Sequence, residues 1–124
     1  MKKILILLAL AAWLPAQAGA ADKAPWEAPY KPLKGEYLIY GGSLGEQKAP
    51  TAKDRKVAIH IQGTAAKELF DAMQPDEKVT CTTQEGYRER RKDAVLCTYY
   101  PTDGYSCYIG FDLRTGKSIG GASC

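Results

Sequence analysis

Four cysteines, Cys81, Cys97, Cys107 and Cys124, all stand beyond residue 80 of a 124-residue chain, and they constrain the fold more than any other feature. What they do depends on where the chain folds. Lys2 and Lys3 precede an apolar run over residues 4–14, too short to cross a hydrocarbon core of roughly 30 Å as a stable helix. Pro15 breaks the run, and small residues follow in Ala16-Gln17-Ala18 and Ala18-Gly19-Ala20. This is the build of a secretory signal peptide over 1–20, cut after Ala20. No cysteine stands at the cut and no Arg-Arg pair precedes the apolar run, so the chain is expected to leave unfolded and without a lipid anchor. An exported chain meets an oxidising compartment, where an even number of cysteines reads as two disulfides.

The rival uses of four cysteines are weaker. A zinc site wants closely spaced ligand pairs, whereas every gap here is long and the single histidine is His60. A redox pair wants a CxxC motif to depress a thiol pKa, and there is none. No cofactor or metal is expected. Three connectivities are open to four cysteines. Arg114-Thr115-Gly116 reads as a tight turn, and folding back there brings Cys107 nearly opposite Cys124, which leaves Cys81 to Cys97. Each bridge would then close a loop of roughly sixteen residues, contributing on the order of 3 kcal/mol in the chain-entropy model. A mature chain of roughly a hundred residues has little stability to spare, so the staples matter.

The rest of the organisation follows from punctuation and periodicity. Residues 21–34 hold Pro25, Pro29 and Pro32 among Trp26, Glu27 and Tyr30, a composition suited to an extended arm. One domain follows over 35–124. A first strand is expected over residues 36–41 and a long polar loop over 42–55. Residues 56–62 alternate cleanly, with Val57, Ile59 and Ile61 on one face. A helix comes next, with Thr64 as N-cap, an apolar stripe of Ala66, Leu69, Phe70 and Met73, and Pro75 ending it. Short strands are expected over 79–83, 87–91, 94–100, 105–112 and 118–124, with Pro101-Thr102-Asp103-Gly104 as a turn. The fold class is α+β: a small antiparallel β-sheet with one packed helix, stapled by disulfides.

Local chemistry is sparse. His60 stands on the polar side of its strand with no acid or serine at a recognisable spacing, and reads as an ordinary surface or half-buried histidine. Ser106, in Gly-Tyr-Ser-Cys-Tyr, falls inside an expected strand and lacks the glycines of a nucleophile elbow. Asp71, Asp76 and Glu77 cluster near the helix end, where carboxylates commonly face solvent. No catalytic residue is assigned, and the chain is not expected to be an enzyme.

Two surface features stand out. In Tyr87-Arg88-Glu89-Arg90-Arg91-Lys92, Arg88 and Arg90 project from one side of a strand and could hold a carboxylate or phosphate, or could simply mark a charged edge strand that resists aggregation. Eight tyrosines exceed what a small core buries with every hydroxyl satisfied. If Cys107, Ile109 and Phe111 point inward, Tyr108 points outward beside Gly110, giving a flat platform. Arg88, Arg90, Tyr100, Tyr105 and Tyr108 are therefore the candidate partner-binding residues.

In size, leader, paired cysteines and aromatic strands the chain is similar in general character to periplasmic inhibitors of lysozyme-like enzymes and to immunity proteins that guard against cell-wall hydrolases. No motif of either can be matched residue by residue. Without Lys2 and Lys3 the net charge falls from +3 to about +1, which disfavours a nucleic-acid partner. The expected function is binding of another protein in the cell envelope, in the periplasm or beyond, by a chain that does not span the membrane once its leader is cut. Two alternatives stand behind it: an envelope component holding an anionic glycan or lipid headgroup through Arg88, Arg90 and Arg91, and a small enzyme with no local motif.

Overall fold

The computed structural model describes residues 24–124 together with Pro15 and Gly19; apart from those two positions, the leader expected over 1–20 lies outside the described residues. The chain divides into two units, residues 1–30 and 31–124. In the first, Pro25–Glu27 forms a 3-10 turn closed by the Glu27 N–H on the Ala24 carbonyl at 2.8 Å. No helix among the described residues is long and apolar enough to cross a membrane.

In the second unit the described elements are β1 (Lys34–Gly42), β2 (Gln47–Lys48), β3 (Lys56–Gln62), α1 (Gly63–Ala72), β4 (Arg88–Lys92), β5 (Val95–Tyr100), β6 (Gly104–Asp112) and β7 (Ser118–Ile119). They build one antiparallel sheet in the order β2-β1-β3-β6-β5-β4, with β7 paired to β6. One helix packs on one face, and two disulfides staple the unit. This is the α+β architecture read from the sequence.

The alternation of residues 56–62 yields a strand with those bounds, because Ile59 and Ile61 need the cover that the helix side of the sheet gives them and Lys56, His60 and Gln62 do not. The helix follows with no loop. Gly63, at φ 67°, turns the chain directly out of β3, a conformation that suits glycine. Thr64 therefore lies within α1 and is not its N-cap: Gln62 holds that position in extended conformation with no side-chain cap. Ala66, Phe70 and Met73 are buried and Leu69 partly so, one stripe set against Ile61, Cys97 and Cys107. Phe70 is fully buried, a burial worth about 2 to 3 kcal/mol.

The disulfides join Cys97 to Cys107 and Cys81 to Cys124, which corrects the expected pairing of Cys107 with Cys124 and Cys81 with Cys97. The turn at Arg114-Thr115-Gly116 does form, with the Gly116 N–H on the Asp112 carbonyl at 2.7 Å. It sets Ile119 opposite Gly110, a register that would carry residue 122, not Cys124, past Cys107. That flank of β6 is already taken by β5, which sets Cys97 directly opposite Cys107 with 4.1 Å between their Cα atoms. The tail is forced off the sheet after Ile119, so the strand expected over 118–124 is only two residues long. It crosses above Gly110, where a Cβ would stand 2.9 Å from the carbonyl oxygens of Ile119 and Gly120, and ends on Cys81. The wider bridge spans a sequence separation of 43 and the narrower one 10, so the chain-entropy stabilisation is about 4 kcal/mol for the first and about 3 kcal/mol for the second.

The strand expected over 79–83 is absent. Its backbone is satisfied locally: the Cys81 N–H donates to Glu89 Oε2 at 2.9 Å and the Thr80 hydroxyl to the Thr82 carbonyl at 2.7 Å, while Val79 faces solvent. Conversely β2 stands within the loop expected over 42–55, paired only with Gly41 and Gly42.

Candidate functional site

The sheet has two faces with different covers. On the helix side, α1 lies over the rows that run through Ile61, Cys107 and Cys97. On the other side, the half formed by β4, β5 and β6 lies under the Cys81–Cys124 bridge, which lines a hollow with Leu96, Thr98, Tyr100 and Tyr108.

Arg88 and Arg90 do project from one side, as strand parity requires, but onto a carboxylate of their own chain. Arg88 donates to Asp76 from Nε at 2.8 Å and from Nη2 at 3.1 Å, and Arg90 Nε donates to the same carboxylate at 2.7 Å. Arg90 is buried; its guanidinium stacks 4.2 Å from the Phe70 ring centre and its Nη1 caps the Phe70 carbonyl at 2.7 Å. Hydrogen bonds from Arg88 and then Arg90 hold the Asp76 carboxyl below its ordinary range. Asp76 is thus a structural acid and not a free solvent contact.

On the opposite side of β4, Glu89 is buried. Burial alone would raise its carboxyl, but the Cys81 N–H, the Tyr87 hydroxyl at 2.8 Å and Arg91 at 3.2 Å outweigh it and hold the group below its ordinary range. The Tyr87 phenol is pushed up, first by burial and then by its bond to Glu89.

The candidate tyrosines are distributed, not gathered. Tyr105 packs on Phe70 and Tyr99, Tyr100 on Tyr87, and Tyr108 lies flat on His60, with ring centres 4.7 Å apart and planes 5° apart. Tyr108 is on the side away from α1, as expected, but it is half-buried and Gly110 beside it is roofed by the tail. The open platform expected there is filled.

His60 has partners after all. Its Nδ1 lies 3.1 Å from Glu36 Oε1 and its Nε2 lies 3.0 Å from Ser106 Oγ. The three come from β1, β3 and β6, at sequence separations of 24 and 46, so only the cross-strand register brings them together. Glu36 and His60 border a hollow of about 410 Å³ that they line with Leu38, Leu44, Ala58 and Tyr108. A carboxylate that orients an imidazole beside a hydroxyl resembles an activated nucleophile. Ser106, however, is paired to Gln62 on one flank and Thr98 on the other, so its N–H lies in the sheet plane and not above the face where an oxyanion would form. The arrangement orients a proton without completing an acyl-transfer site.

A second surface lies on the helix side of the sheet, at residues that carry no binding motif. Beyond α1, the helix side of the sheet continues in two registered rows, Tyr37–Ile59–Ile109 and Ile39–Val57–Phe111, and Leu113, whose N–H bonds the Arg55 carbonyl, lies beside the second. Tyr37 is 75% exposed, Ile39 48% and Leu113 42%, with Val57 and Phe111 half-buried. A shallow hollow between Ile39, Leu113 and Pro50, Ala52 and Arg55 lies at its end. The parity of residues 37 and 39 with Val57 was the signal that could have found it.

No known protein family, curated protein or solved structure matches the chain. The two disulfides fit an oxidising compartment outside the cytoplasm.

Proposed function

We propose that the chain is an exported binding protein that acts in the periplasm or beyond by holding another protein, in the manner of an inhibitor or immunity protein. The observation that carries this reading is the apolar field of Tyr37, Ile39, Val57, Phe111 and Leu113, which no described element covers. Contiguous exposed apolar surface on a small domain marks a contact site more often than an accident of packing, and its tyrosine, isoleucine and phenylalanine provide the apolar contact area on which protein interfaces are centred. The glycan or headgroup alternative has less support, because Arg88 and Arg90 are occupied by Asp76 and Arg91 by Glu89.

The test is capture from envelope extract with the oxidised chain as bait. A stoichiometric protein retained by the wild type and by Arg88→Ala, and lost with Tyr37→Ser/Ile39→Ser, is the expected result. Capture that ignores the Tyr37→Ser/Ile39→Ser change, or retention on anionic lipid vesicles that Arg91→Ala abolishes, would overturn the reading.

A further inference from the structure

Among the described residues, most of β1 forms an open edge of the sheet. Among them it is paired from Lys34 to Tyr40 on its β3 side alone, since β2 reaches only Gly41 and Gly42. The direction of its backbone groups follows from two contacts. The Gly42 N–H donates to Asp54 on the β3 side at 2.7 Å, and the His60 carbonyl of β3 stands 2.6 Å from where a Cβ of Gly35 would be, aimed between Gly35 and Glu36. Even-numbered residues of β1 therefore turn their N–H and C=O groups to β3. Gly35, Tyr37 and Ile39 turn theirs to solvent, ready for another strand. Pro32 is even-numbered, so its missing N–H is no obstacle on the outer side.

We infer that the occupant of this edge is a second copy of the chain, with the two β1 strands antiparallel about a twofold axis at Gly35. A head-to-tail arrangement needs β4 as the receiving edge, and β4 is guarded: the Glu77 N–H already occupies the Glu89 carbonyl at 2.7 Å, and the strand reads Arg-Glu-Arg-Arg-Lys. That leaves the isologous pairing, β1 on β1. A twofold axis perpendicular to the sheet sets only residues of equal parity opposite each other, which leaves few registers. An axis at Glu36 sets that carboxylate against itself. An axis at Tyr37 sets Lys34 across from Tyr40 and Glu36 across from Leu38, a charge against an apolar or aromatic group in each case. An axis at Gly35 sets Lys34 of each copy across from Glu36 of the other, twice, in the narrow pairs where side chains stand closest. It also sets the two glycines together where the backbones must meet, and Tyr37 opposite Leu33. Pairing keeps faces aligned, so the apolar fields of both copies fall on the same side of one continuous sheet. The dimer rests on the edge alone; the proposed function rests on the field beside it.

The experiment is sedimentation of the oxidised chain over a concentration series, with thermal melting to show that each variant is folded. The wild type is expected to pass from monomer to dimer. Glu36→Lys and Lys34→Glu each place like charges at two symmetric positions and should raise the dissociation constant on the order of tenfold. The double exchange Lys34→Glu/Glu36→Lys should restore the dimer, because the register sets these two positions against each other. His60→Ala, which removes the other contact of Glu36, should leave the dimer intact. A monomer at every concentration up to about 1 mM, or a double variant no tighter than the singles, overturns the proposal. A monomer that still captures its partner overturns the dimer and leaves the proposed function standing.

Discussion

The two edge strands of this sheet are opposites. β4 is charged, and its side chains are held from within: Arg88 and Arg90 by Asp76, Glu89 by Cys81, Tyr87 and Arg91, with a backbone bond from Glu77 along its rim. β1 is largely uncharged, with Tyr37, Leu38 and Ile39 exposed and, among the described residues, its rim unpaired over Lys34 to Tyr40. Charge on an edge does not mark a binding site when the countercharge comes from the same chain. The bare edge with little charge is where a second chain can add contacts without first breaking any.

If β4 is structural, the largest effect belongs to its buried acid. Glu89→Ala leaves the Cys81 N–H, the Tyr87 hydroxyl and Arg91 without their acceptor and should cost about 3 kcal/mol in urea unfolding. A loss under about 1 kcal/mol would place the β4 network among ordinary surface pairs.

Acid should produce a smaller loss by the same route. Glu89 and Asp76 are both held below their ordinary values, so the folded state binds fewer protons than the unfolded one. Their stabilisation is complete above the ordinary values of 4.5 and 3.8 and is lost as pH falls below these and through the lower folded-state values. The urea midpoint should drop between neutral pH and pH about 3, and drop less in Glu89→Ala; a midpoint indifferent to acid would contradict the assignment.

Smallest of all is the expected stability effect at β1. Ile39→Ser should change the unfolding free energy of the monomer by under about 0.5 kcal/mol, although the residue is apolar and stands in a strand. A loss comparable with Glu89→Ala would mean that the apolar field is core and not contact surface.

Much of the contrast could be read before the fold was known. The alternation of Val57, Ile59 and Ile61 and the stripe of Ala66, Phe70 and Met73 are local patterns, and both elements form as expected, with Ile59, Ile61 and the stripe in the core and Val57 left in the uncovered field. The shared side of Arg88 and Arg90 was legible by parity. What occupies them was not, because Asp76 lies 12 and 14 residues away across a loop of no regular period. The disulfides failed for a related reason. A turn at Gly116 says that the chain folds back, but the partner of Cys107 depends on which strand already holds the flank of β6, a non-local fact. Residues 79–83, rich in threonine and valine, carry strand composition and yet form a loop, because a side-chain carboxylate and a disulfide meet needs that a ladder would otherwise meet. Glu36, His60 and Ser106 converge through register alone.

The difference between the edges is tested most directly by hydrogen exchange at single residues of β1 in the oxidised chain. The Glu36 and Leu38 amides face β3 and should be protected at any protein concentration, as should the β5 amides. The Gly35 and Tyr37 amides face the open rim; they should be protected at high concentration and lose that protection on dilution, as the paired edges separate. Protection at Gly35 and Tyr37 that is independent of concentration, or missing throughout, would contradict the account.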